Sequence, residues 1–337
     1  QRSHREGTGQ VQRKEGGQMS NGARWASRGY RDDQDLRQML ELIQTGRAAT
    51  GDWQYWHVGE LLYMFYQVDR HLVPGEHIRV WHTPRGALIG YAFLGVDPLF
   101  DWQVAHGWLR CGIEEEALEW AQARLDALHA AAPERWKDHL TCLARLDDAE
   151  RVGFLERGGF VPGKYVEVNH IRPLTDPIVD VPVPDGYEVR AVAGRHEFDE
   201  RSAVDHAVWG QWQPGKLSGQ DYLRLTQLPG YDGRLDIVAV GPEGRIAAYV
   251  NGWNDVVNRI GDFGPVGTRA EYRQRGLGKA VLTECLRQME ACGMERVCVS
   301  TGENNTAARR LYESVGFRVV NRTGEFERTN RSVETEE

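Results

Sequence analysis

The run Arg273-Gln274-Arg275-Gly276-Leu277-Gly278-Lys279 lies between a strand pattern and the start of a helical one. Glycines at such a junction let the backbone turn tightly and bring amide N–H groups close to a ligand. The first turn of the following helix adds unpaired donors and the positive end of its dipole. A phosphate or pyrophosphate is the ligand that chemistry suits. Counting excludes two phosphate loops. A Walker loop needs Gly five residues before its Gly-Lys pair, and Arg273 stands there. A dinucleotide loop needs Gly or Ala three residues after Gly278, and Val281 stands there.

What remains is R-x-x-G-x-G, followed by Asn305-x-x-Ala308-x-x-Leu311-Tyr312-x-x-x-Gly316-Phe317. The pair resembles the acyl-CoA pyrophosphate loop and the late helix of the GNAT superfamily of N-acyltransferases. The match covers roughly residues 260–320, and more loosely 186–328. By that resemblance the co-substrate is acetyl-CoA and no metal is needed. The acyl-CoA would be held by Pro265, Val266 and Gly267, by Arg273, Gln274, Arg275, Gly276, Leu277, Gly278 and Lys279, and by Asn305 and Ala308. In the family a strand bulge lets pantetheine bond like an extra strand, and Phe263–Gly267 takes that position. Tyr312 would be the general acid. A phenol of pKa about 10 can donate to a departing thiolate of pKa about 8.5. The other reading of Tyr312 is a helix-face core residue, and that of Asn305 a helix cap.

Asp262, fourteen residues before Gly276, occupies the strand where some members carry a catalytic Glu. An Asp of pKa about 3.9 needs an upward shift to serve as a base. Glu303 and Asp255 are the other candidates. Trp209, Trp212 and Tyr222 fall in the early helices that shape the family's acceptor pocket, and could wall an apolar or cationic amine. Core packing is the alternative for these three.

The elements that must position these groups form a repeat. Trp53-Gln-Tyr-Trp56 answers to Trp209-Gly-Gln-Trp212, Gly86 and Tyr91 to Gly244 and Tyr249, and Gly159-Phe160 to Gly316-Phe317. The offset stays between 156 and 158. The expected organisation is a leader over 1–26, an N-terminal GNAT-like domain over 27–172, a Pro-rich linker over 173–185, the catalytic domain over 186–328 and an acidic tail over 329–337. The chain thus resembles a tandem GNAT protein, an organisation also seen in mycothiol synthases. Each domain would be α/β, or α+β: a mixed, mostly antiparallel sheet flanked by helices. In the second domain strands are expected at 187–192, 235–240, 245–253, 260–267, 296–300 and from 317, with helices at 197–208, 217–228, from 278 to Gly293, and 305–315. The glycines and proline of 260–267 predict a bulge. From Glu325 the chain is polar and unpatterned and reads as a tail.

The first domain departs from the pattern. An offset of 157 places Leu155 opposite Tyr312 and Asp148 opposite Asn305, and puts the loop glycines at Glu119–Ala121, inside a helical run. The loop is therefore expected to be missing. Glu114, Glu115 and Glu116 at that helix's start would repel a pyrophosphate.

The 337 residues are 41% apolar and carry a net charge of −8, which disfavours general nucleic-acid binding. No window of eighteen apolar residues suggests a membrane span. Five cysteines without C-x-x-C spacing suit reduced thiols in a cytoplasm. His57, His71, His77 and His82 lack ligand spacing. The run before Met19 back-translates to a ribosome-binding stretch, so Met19 is a candidate start. The expected partner is a small-molecule amine, with no nucleic acid or membrane. The expected activity is acetyl-CoA-dependent N-acetylation. The alternatives are a non-catalytic acyl-CoA-binding protein and a protein N-acetyltransferase.

Overall fold

The structure, a computed structural model, describes residues 24–51, 53–71, 73–95, 97–210 and 218–329. The readings of the leader to residue 18, of Met19, of Trp212 and of the tail past Thr329 fall outside these residues. The first half runs β1 (Ala26–Gly29), α1 (Asp33–Thr50), α2 (Val58–His71), α3 (Pro74–His77), β2 (Ile78–His82), β3 (Leu88–Leu94), β4 (Phe100–Val104), α4 (Ile113–Ala131), β5 (His139–Arg145), α5 (Ala149–Arg157) and β6 (Val161–Pro173). The second half follows the same order without a counterpart of α3: β7 (Glu188–Ala191), α6 (Phe198–Trp209), α7 (Gly219–Leu225), β8 (Asp236–Val240), β9 (Ile246–Asp255), β10 (Ile260–Thr268), α8 (Leu277–Ala291), β11 (Arg296–Gly302), α9 (Thr306–Ser314) and β12 (Arg318–Thr329).

Local chemistry accounts for the elements. Helix α8 buries Val281, Leu282, Cys285, Leu286 and Met289, the 3.6-residue stripe of its sequence. Gly293, at φ 82°, follows it in the left-handed conformation that glycine tolerates best. Ser218 and Asp221 make a reciprocal capping box at the start of α7. Asp148 and Asn305 cap α5 and α9 by accepting from the amide three residues on.

The strands form two sheets. β1-β2-β3-β4 is antiparallel throughout. The other has eight strands in the order β5-β12-β6-β11-β10-β9-β8-β7, antiparallel except for the parallel pair β10–β11. That order exchanges strands between the halves. β6 pairs with β11 from Arg296↔Pro173 to Gly302↔Glu167. β12 pairs with β5 and with β6. The residues read as a tail from Glu325 are the end of β12, with Glu325 opposite Leu143 and Thr329 opposite His139. Phe326, buried there, is the one apolar residue that gives this end a core-facing side.

The cores are shared as well. Leu36, Ile43, Leu61 and Phe65 pack in one cluster with Tyr222, Leu225 and Trp253. Phe326 joins the cluster built by β3, β4, α4 and β5. The Pro-rich segment after β6 lies on the second half: the Leu174 amide donates to the Glu295 carbonyl, and Arg172 holds the carbonyls of Asp176 and Pro177.

Candidate functional site

β10 and β11 begin in register at Ile260↔Arg296 and stay paired to Asp262↔Cys298. β10 continues to Thr268 and β11 to Gly302 without further pairing to each other, so the sheet opens as a wedge beyond Asp262. On its other side β10 bulges between Phe263 and Val266 against β9, at the glycine- and proline-containing stretch. Pro265, Val266 and Gly267 edge the wedge. A side chain at Gly267 would collide with the Tyr249 ring, 2.5 Å from an added Cβ.

The wedge leads into the loop. After β10 the chain makes a short 3-10 turn over Ala270–Tyr272, Gln274 takes φ 61° and Gly276 φ 82°, and α8 starts at Leu277. The amides of the first turn of α8 are left with no partner inside the helix. Gly278 sits 3.3 Å, measured from an added Cβ, from both Leu311 of α9 and Thr268 of β10, so a side chain there would crowd the loop. Arg273 bonds the Thr268 carbonyl, and Arg275 bonds the Tyr187 hydroxyl. Ala308 packs against the apolar core of the second half. The Asn305 side-chain oxygen accepts from the Ala308 amide, so its observed contact is the helix cap.

Tyr312 is buried on α9 against Phe317 and the His170 ring. Burial, and then the charge of Asp262, push its pKa up, so the phenol keeps its proton at neutral pH. Asp262 is 7% exposed and lies 3.3 Å from the Cys298 thiol, which donates to it. Burial raises its pKa, against the Cys298 hydrogen bond and the charge of Arg47. The other proposed bases are committed elsewhere. Asp255 accepts from Gln44 and Asn258 and from the Val257 amide. Glu303 pairs with Arg322.

The first half supplies groups that the sequence did not announce. The start of α2 docks on β9 and β10: His57 Nε2 lies 3.1 Å from the Ile260 carbonyl, and Gly59 lies under the Trp253 ring. Trp253 in turn donates to the Gly264 carbonyl at 2.7 Å, inside the bulge. Glu60 caps the start of α2 by accepting from the His57 amide. Its pKa is raised, first by burial of the carboxyl and then by the charge of Asp262, while Arg47 opposes the rise. Glu60 is nonetheless an exposed residue by surface area, so solvent screens much of this shift and leaves only its direction. The charge of Glu167 on β6 adds the smallest part of the rise. In sequence, His57-x-x-Glu60 reads only as a capping pattern.

Of the aromatic residues expected at the acceptor pocket, Tyr222 is buried in the shared core against Phe198, and Trp209 packs with Val204 and Val238. Among the described residues no group of three or more His, Cys, Asp or Glu side chains could hold a metal ion. No helix among them is long and apolar enough to cross a membrane.

A mostly antiparallel sheet splays at one parallel pair, above a glycine-bounded loop and a helix N-terminus. Residues 201–317 match the acetyltransferase (GNAT) family. The mycothiol acetyltransferase of Salinispora tropica is 31% identical over 158 residues, covering 43% of this chain and 49% of that protein. That of Thermobispora bispora is 32% identical over 159 residues, covering 43% and 51%. The chain thus spans about half the length of the curated relatives it matches. Two solved structures share the whole fold. A GCN5-related N-acetyltransferase from Sphaerobacter thermophilus has a TM-score of 0.62 at 20% identity, covering 92% of this chain and 97% of its own. A tandem GNAT protein from the clavulanic acid biosynthesis pathway has a TM-score of 0.62 at 16% identity, covering 91% and 99%.

Proposed function

We propose that this chain is an N-acetyltransferase that moves an acetyl group from acetyl-CoA to the amine of a small molecule at the wedge between β10 and β11. The observation that carries the reading is the convergence of three features. The wedge opens at Asp262, it leads into the Gln274–Lys279 loop, and Tyr312 lies buried beside it within electrostatic reach of Asp262.

In this reading the pyrophosphate sits on the loop amides and the first turn of α8. Pantetheine lies along Pro265–Gly267, and backbone N–H groups past Asp262 face the thioester oxygen as it becomes an oxyanion. The substrate ammonium gives a proton to the Asp262–Glu60 carboxylate pair, whose raised pKa suits it better than an ordinary Asp. The free amine attacks the thioester carbon and a C–N bond forms; as the tetrahedral intermediate collapses the C–S bond breaks and the nitrogen loses its extra proton to solvent. Tyr312 protonates the departing sulfur and recovers its proton from solvent. Two carboxylates at the acceptor side favour a cationic amine over a neutral acceptor. The test is a screen of amine libraries with detection of released CoA thiol. Release that depends on an amine, and N-acetylated product by mass spectrometry, support the reading. Acetyl-CoA binding with no turnover on any amine class supports the non-catalytic alternative.

A further inference from the structure

The acyl-CoA loop of the second half has a full backbone counterpart in the first, displaced by 164 residues. Ala105 and Arg269 share φ −54°, with ψ 136° and 144°. A 3-10 turn follows in each, at His106–Trp108 and at Ala270–Tyr272. Arg110 takes φ 59° where Gln274 takes 61°, and Gly112 takes φ 103° where Gly276 takes 82°. The helices then begin at Ile113 and Leu277. In this pairing Glu114 stands where the second half has Gly278.

Glu114 is 8% exposed, and its side chain folds back into the loop. Its Oε1 accepts from the Arg110 amide at 2.8 Å, and its Oε2 is buried with no hydrogen-bond partner. A carboxylate oxygen therefore occupies the amide that a bound anion would take. The negative charge also lies at the positive end of α4. Gly278 has no side chain to offer the matching Gln274 amide.

The wedge of the first half is filled independently. Among the described residues, the chain just before β4 meets β5 at the parallel bridge Leu99↔Thr141, and the two strands part beyond it. Between them lies the Arg151 guanidinium. It pairs with Asp101 on β4 at 3.0 Å, donates to the Trp102 carbonyl at 3.3 Å and lies 3.8 Å from the Cys142 sulfur on β5. It also stacks 3.9 Å over the Trp102 ring. By the 157-residue displacement of α5 and α9, the second-half counterpart of Arg151 is Ala308. At the loop end of β4 the Tyr55 hydroxyl donates to the Val104 carbonyl at 2.7 Å.

We propose that the first half is a second acyl-CoA cleft occupied by its own side chains, with the Glu114 carboxylate in the place of the pyrophosphate and the Arg151 guanidinium in the place of the pantetheine. It takes no acyl-CoA in the native chain, and its loop is an anion site that one substitution opens. The inference rests on the reading of the Arg273–Lys279 loop as the pyrophosphate site of the second half.

The test is calorimetric stoichiometry on the full chain with two probes. These are acetyl-CoA and adenosine 3′-phosphate 5′-diphosphate, the part of CoA that needs the loop and not the wedge. The native chain and Glu114→Gln, which keeps a side-chain oxygen within reach of the Arg110 amide, take one equivalent of each. Glu114→Gly takes a second, weaker equivalent of the nucleotide, while acetyl-CoA stays at one because Arg151 still fills the wedge. Glu114→Ala opens the loop likewise and serves if the glycine variant does not fold. Two equivalents of acetyl-CoA on the native chain overturn the proposal. So does a folded Glu114→Gly or Glu114→Ala chain that gains no nucleotide site. If the native chain binds neither probe, the proposed function fails. The difference between native and opened chains still decides this inference.

Discussion

Gly59→Ala tests the packing that brings the two halves together. A Cβ built on Gly59 falls 2.4 Å from Trp253 Cγ and 2.5 Å from Trp253 Cβ. Carbon atoms settle at about 3.5–4.0 Å, so the helix or the ring must give by roughly 1 Å. The ring has little room to move: Trp253 is 1% exposed and its indole nitrogen is bonded to the Gly264 carbonyl. Overpacking of this kind costs about 1–3 kcal/mol. Replacing glycine by alanine in a helix returns about 0.5–1 kcal/mol, less in a first turn. The expected net loss is about 1–2 kcal/mol. Gly107→Ala is the control, because no atom lies within 4 Å of its added Cβ. Its effect should stay within about 0.5 kcal/mol. Equilibrium denaturation followed by tryptophan fluorescence reads both. Displacement of α2 also moves Glu60, the next residue, relative to Asp262. A misplacement near 1 Å can cost up to about a hundredfold in rate, so kcat/KM should fall further than stability alone explains. A Gly59→Ala chain as stable as Gly107→Ala refutes the interface as described.

Three further outcomes are expected. Gly278→Glu places in the second-half loop the carboxylate that Glu114 places in the first, and should weaken acetyl-CoA binding about a hundredfold or more by calorimetry; binding within threefold of native in a folded chain removes the loop assignment. Tyr312→Phe keeps the buried ring and deletes the hydroxyl, so turnover should drop about a hundredfold with acetyl-CoA affinity unchanged; more than half of native turnover, with chemistry rate-limiting, excludes the acid role. Glu60→Gln replaces a pair of like charges by one carboxyl. Both pKa values in the pair are raised, so the base form of the native pair appears only as pH rises through its upper apparent value. Removing one charge lowers that value, and the acid limb of kcat/KM should move to lower pH. A limb that stays in place or moves up shows that the two carboxyls do not titrate together.

Local chemistry made much of the second half legible. The apolar stripe from Val281 to Met289 marked α8, Gly278 gave its start to within one residue and Gly293 its end, and the glycines and proline of β10 forecast its bulge. Three features were hidden, each for a physical reason. The strand exchange was hidden because alternation along β6 and β12 specifies a face and not a neighbour. Glu60 was hidden because its pattern is that of a helix cap, and only tertiary packing brings it to Asp262. The first-half loop was hidden because the displacement between the copies is not constant. It is 158 for β2 and β8, 164 for the starts of α4 and α8, and 157 for α5 and α9. A longer β9–β10 hairpin in the second half is offset by a longer α4 and following turn in the first. A single displacement of 157 therefore places the loop inside α4, when it stands at Leu109–Glu114.

The exchange of strands explains why a half whose cleft is filled by its own side chains remains part of the working unit. β6 supplies the whole ladder on one side of β11, seven residue pairs from Arg296 to Gly302. β11 is also one wall of the wedge. Without β6 that wall would be an exposed edge, open to slippage and to pairing with other chains. β5 does the same for β12, and α2 carries Glu60 to Asp262. The first half thus gives the candidate site its sheet, part of its core and one carboxylate, and none of these contributions requires it to bind acyl-CoA. Substitutions that fill its loop or wedge, such as Glu114 and Arg151, leave all three in place. Substitutions that weaken β6 or α2 remove them, so the first half tolerates change in its own cleft far better than along the strand and helix it lends to the second.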